Sequence, residues 1–84
     1  MKGIIISESL VIRRGVSQIL SDEECIERLD EGYMCTDVRK DKYDLAIFDL
    51  NRNTKQYIDC IREIKKNTDT KVMILDFYED RVLF

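Results

Sequence analysis

The chain has no histidine, no proline, three glycines and three cysteines among 84 residues. Without histidine a Cys/His zinc site cannot be completed, and Cys25, Cys35 and Cys60 contain no Cys-x-x-C pair from which thiols alone could build one. The same absence removes the usual general base of serine and cysteine nucleophiles. An odd set of cysteines without metal spacing predicts reduced thiols. With no proline, few glycines, no repeat and no low-complexity tract, nothing marks a hinge, so residues 1–84 are read as one domain. Long apolar runs are missing as well. Ser7 and Glu8 interrupt the first run after Ile6, far short of a secretory core or a membrane span, which predicts a cytoplasmic protein with no membrane contact. Nor is there an excess of base: 17 acids and 14 bases, interspersed, give a net charge of -3, so direct nucleic-acid binding by this segment is not expected.

What is present alternates. Ile4-Ile5-Ile6, Leu45-Ala46-Ile47-Phe48 and Val72-Met73-Ile74-Leu75 are continuous apolar runs, as expected of strands buried on both faces. Ile12, Val16, Ile19 and Leu20 repeat at helical spacing, with Arg13, Arg14, Ser17 and Gln18 facing away. Tyr57, Cys60, Ile61 and Ile64 do the same, and that helix ends in a cationic turn at Lys65 and Lys66. A weaker strand is predicted over Cys25–Leu29 and a short helix over Met34–Lys40. Alternating strands and helices with buried strands predict an α/β domain around a parallel sheet, in the order 2-1-3-4.

Each clear strand is closed at its carboxyl end by an acid: Glu8, Asp49 and Asp76. Open parallel sheets bind ligands outside those ends, where the strand order reverses. Three carboxylates converging there would suit a hard divalent cation such as magnesium. The alternative is that polar residues simply end buried strands and cap the helices that follow.

The stretches Ser7-Glu8-Ser9-Leu10-Val11-Ile12-Arg13-Arg14-Gly15, Asp44-Leu45-Ala46-Ile47-Phe48-Asp49-Leu50 and Asp69-Thr70-Lys71-Val72-Met73-Ile74-Leu75 are similar in order and spacing to the receiver domains of two-component response regulators. The resemblance runs from Lys2 to about Asp80, and is closest to receivers that precede helix-turn-helix output domains. It implies a flavodoxin-like, three-layer, receiver-type fold that lacks the family's last strand and helices. Asp49 would stand at the phosphoacceptor position, where a histidine kinase donates a phosphoryl group. Glu8 and Asp49, with the backbone carbonyl of Asn51, would hold a weak magnesium ion.

The departures from the family are as informative. Ser7 stands where receivers pair a second acid with the first. Asp76 occupies the switch position, where a serine or threonine hydroxyl would bond the phosphoryl group; a carboxylate there repels it. The family's lysine after a fifth strand has no counterpart, Lys71 lies at the wrong end of its strand, and Arg52-Asn53-Thr54 replaces the usual Met-Pro-Gly. The expectation is therefore a non-enzymatic signalling and regulatory module in transcriptional control, acting through protein partners such as a kinase or an output domain rather than through a working phosphorelay. A genuine phosphoacceptor is the alternative. A small hydrolase or phosphotransferase ranks third, because Asp49-Leu50-Asn51 lacks the second aspartate of the D-x-D pattern and no glycine-rich phosphate loop is present. Missing cover on the sheet and the apolar tail Phe77, Tyr78, Val82, Leu83 and Phe84 add an expectation of a homodimer.

Overall fold

The computed structural model describes residues 1–49 and 54–75. The three apolar runs become strands β1 (Lys2–Ile6), β3 (Leu45–Asp49) and β4 (Lys71–Leu75). A fourth strand, β2, spans Arg28–Gly32. Between them lie helix α1 (Leu10–Leu20), a short 3-10 helix, η1 (Cys35–Lys40), and helix α2 (Thr54–Asn67). All neighbouring strands are parallel and the order is β2-β1-β3-β4, as the alternation of elements predicts.

The chain leaves β1 in one direction across the sheet and leaves β3 in the other. Right-handed crossovers then put α1 and α2 on opposite faces. Side chains alternate accordingly. Ile4, Ile6, Ala46 and Phe48 pack with Val38, Tyr43 and, from α2, Tyr57, Cys60 and Ile64. Ile5 and Ile47, equally buried, point to the α1 side.

Local chemistry sets the ends of the helices. The Ser9 side chain accepts a hydrogen bond from the Ile12 amide and caps α1. At the other end of α2, Thr68 donates its hydroxyl to the Ile64 carbonyl at 2.8 Å, while Lys65 and Lys66 face the negative end of the helix dipole. Gly32 is required by close approach: a Cβ there would lie 2.9 Å from the Asp37 side chain, whose carboxylate accepts from the Tyr33 and Met34 amides.

Four expectations change. β2 begins three residues later than Cys25, because Ile26 closes a turn onto the Glu23 carbonyl and pairing with the first strand opens only when the Glu27 amide reaches the Met1 carbonyl. As an edge strand it pairs with β1 alone, so its charged sequence is tolerated. α1 buries none of its residues fully; Ile12, Val16 and Leu20 are half-buried, and Ile19 is 70% exposed. Arg13 does not face away but turns inward, its side chain only 15% exposed. Finally, Cys35 and Cys60 form a disulfide, with their Cα atoms 6.0 Å apart, so only Cys25 remains a free thiol. Burial on the same sheet face brings together two cysteines whose sequence spacing gives no hint of pairing.

Candidate functional site

The ends of β1 and β3 lie side by side, with Ile6 opposite Phe48, at the point where the strand order reverses. The next residues, Ser7 and Asp49, are both fully buried. The Ser7 hydroxyl donates to Asp49 Oδ2 at 2.8 Å and accepts from the Ser9 amide at 3.0 Å. Ser7 is held by its own backbone too: its amide donates to the Gly32 carbonyl, and its carbonyl accepts from Arg13 Nη1 at 2.6 Å. Arg13 is fixed in turn by Glu31, at 3.7 Å, and by the ring of Tyr33 beneath its guanidinium.

From the other face α2 contributes Tyr57, only 3% exposed, whose ring meets Phe48 edge to face at 5.7 Å. Two buried polar atoms here, Asp49 Oδ1 and the Tyr57 hydroxyl, have no hydrogen-bond partner among the described residues. Burial first, and then the nearby Glu8 and Asp49 carboxylates, raise the Tyr57 phenol above its ordinary value. Unpartnered buried polar atoms are uncommon in folded proteins and concentrate where a ligand, ion or water is taken up.

Of the predicted site residues, Asp49 ends β3 inside the protein and Glu8 follows it across the sheet on the exposed side of Ser7. Asn51 and Asp76, like Arg52 and the apolar tail, lie outside the described residues. Among the described residues no three acidic, cysteine or histidine side chains gather closely enough to hold a metal. Sequence reasoning treats Ser7 as a lost metal ligand, whereas its hydroxyl holds Asp49. Arg13 and Tyr57 were missed as site residues: each was assigned to a helix face, and no local signal separates a core tyrosine from one whose hydroxyl is left over.

The arrangement holds one oxygen of the buried Asp49 carboxylate through Ser7 and leaves the other as an acceptor. An open groove of about 670 Å³ lies at the opposite end of the sheet, between Val38, Tyr43, Asp44, Ile64, Asp69 and Thr70. It is therefore separate from the carboxylate site. Among the described residues no helix is long and apolar enough to cross a membrane. No family model matches the chain, and no curated protein matches it.

Proposed function

We propose that this protein is a receiver-like regulatory module of the flavodoxin type, which works in the cytoplasm through protein contacts and not through phosphoryl transfer. The observation that carries this reading is the Ser7–Asp49 pair. The acceptor-position carboxylate sits at the reversal point of a 2-1-3-4 sheet, yet it is 0% exposed and hydrogen-bonded to a serine where a working site would keep a second acid. A hydroxyl adds no charge with which to hold magnesium, so Glu8 and Asp49, with the Asn51 carbonyl, would bind the ion weakly and leave most of its coordination to water. The exposed apolar side chains of Met73 and Ile74 on the outer strand β4, and of Val11 and Ile19 on α1, favour a protein partner, a second copy of the chain included.

One observation favours the alternative, a phosphoacceptor at Asp49. The unpartnered Oδ1 has acceptor capacity that neither Ser7 nor any other described residue uses.

An amide NMR titration with magnesium and then beryllofluoride, a phosphoryl mimic, separates the two readings. The expected result is no saturable shift at Ser7, Glu8 or Asp49 on adding beryllofluoride. Saturable shifts there would replace the interaction module with a phosphoacceptor. A Ser7→Asp variant supplies the missing acid and is expected to gain a magnesium response.

A further inference from the structure

We infer that the Cys35–Cys60 disulfide is a reversible thiol–disulfide switch, exchanging with glutathione-class thiols, that decides how firmly α2 is held on the sheet. The inference stands whether or not Asp49 ever carries a phosphoryl group. The bond joins η1 to α2, the two helical elements on the face that holds the main core cluster. Its two cysteines differ in burial: Cys60 is 4% exposed, and Cys35 is half-buried at the start of η1. Cys25 remains an exposed free thiol in the same chain. A bare surface thiol is a liability where disulfides form freely, so the combination fits a reducing compartment in which the bond would be labile.

The exchange balances in two steps. A thiolate attacks Sγ of Cys35, the less buried of the two residues; the Cys35–Cys60 bond breaks, and Cys60 leaves as a thiolate that takes up a proton. A second thiolate then attacks the mixed disulfide, freeing Cys35 and releasing the small-molecule disulfide. The protein pair is reduced by two electrons and two thiol molecules are oxidised. Glutathione disulfide reverses both steps.

What the bond controls follows from how little else ties η1 to α2. Arg39 pairs with Glu63, but both side chains are about half exposed, and such pairs contribute little. Val38 and Ile64 supply apolar contact within the cluster. On α2 the buried residues form one stripe, Tyr57, Cys60 and Ile64, with Gln56, Asp59, Arg62 and Glu63 in solvent. Tyr57 lies three residues before Cys60 on that stripe, so freeing Cys60 loosens the residue packed on Phe48 beside Asp49.

The test uses the full chain carrying Cys25→Ser, to prevent disulfide scrambling, in glutathione buffers of graded ratio. Mass and thiol alkylation read the redox state, and amide hydrogen exchange reads each element. The expected result is complete, reversible conversion within the accessible ratios, with protection of α2 falling on the order of tenfold on reduction through local opening of that helix. Protection of β1 and β3 should change little. A bond that survives a large excess of reduced glutathione, or α2 protection that is the same in both states, would overturn the switch. So would equal loss of protection in β1 and β3, because the disulfide would then be a lock on the whole fold. A Cys35→Ser/Cys60→Ser variant should match the reduced protein in α2 exchange and ignore the buffer.

Discussion

The two ends of the sheet are built on opposite principles. At the amino end a network of charges and hydroxyls bonds to itself. Arg28 donates to both Asp30 and Asp41, Lys2 pairs with Asp41 at 2.9 Å, and the Tyr43 hydroxyl donates to Asp30 at 2.5 Å. Thr70 closes the network by donating to the Tyr43 carbonyl, while the Lys2 amide donates to the Asp44 carboxylate and the Asp44 amide to the Lys2 carbonyl. Lys2 and then Arg28 hold the Asp41 carboxyl well below its ordinary value. At the carboxyl end, two buried polar atoms go unpartnered among the described residues. An end whose buried and half-buried polar groups bond to one another is built for stability. One that leaves a carboxylate oxygen and a phenol over gives up stability, which is the mark expected of a binding or regulatory site.

The largest expected effect breaks the satisfied end. Tyr43→Ala removes a buried aromatic from the core cluster and the donor to Asp30, and is expected to cost about 3–5 kcal/mol in urea unfolding. In a domain this small, such a loss leaves little folded protein. A cost under about 1 kcal/mol would mean the amino end is not the anchor described here.

Alkaline pH tests the same residue without a core deletion. Burial first, and then its bond to Asp30, push the Tyr43 phenol from 10.0 up to about 12. A group whose folded value is raised contributes stability that is complete below the unfolded value and is lost as pH rises through the folded one. Stability should therefore fall between pH 10 and about 12, by an amount on the order of 2 kcal/mol. Tyr43→Phe should flatten that slope. Tyr57, raised for the same first reason, should leave a remainder.

How much of this was legible beforehand depends on how local the cause is. β1, β3 and β4 are readable because a strand buried on both faces must be continuously apolar, and the expected order 2-1-3-4 is the one found. β2 was misplaced because an edge strand is free of that requirement. Glu8 and Asp49 could be picked out by position at strand ends. The Ser7–Asp49 bond, the Arg13–Glu31 pair, the burial of the Tyr57 hydroxyl and the Cys35–Cys60 bond all arise between segments distant in sequence, and no local pattern encodes them.

At the carboxyl end the signs reverse. Asp49→Asn keeps an oxygen for the Ser7 hydroxyl and replaces the orphaned carboxylate oxygen with a neutral amide. A neutral buried group left unpaired costs less than a charged one, so a gain of about 1–2 kcal/mol is expected from urea midpoints. Destabilisation would mean that Oδ1 is already engaged.

The smallest effect is the most discriminating. Tyr57→Phe deletes one atom and retains the ring that meets Phe48 edge to face at 5.7 Å. If the hydroxyl bonds to a partner, removing it should cost about 1 kcal/mol, the ordinary net worth of a hydrogen bond. If it is buried and idle, removal relieves its desolvation, and stability should stay level or rise by up to about 1 kcal/mol. Thr70→Val at the amino end is the matched control: it also deletes a single buried hydroxyl interaction, but one with a named acceptor, and it should cost about 1–3 kcal/mol. Opposite signs for two single-hydroxyl deletions, measured by the same urea unfolding, would establish that the ends of this sheet differ in kind. Equal costs would mean that the Tyr57 hydroxyl has a partner of its own, an ordered water being the simplest, and that only Asp49 distinguishes the carboxyl end.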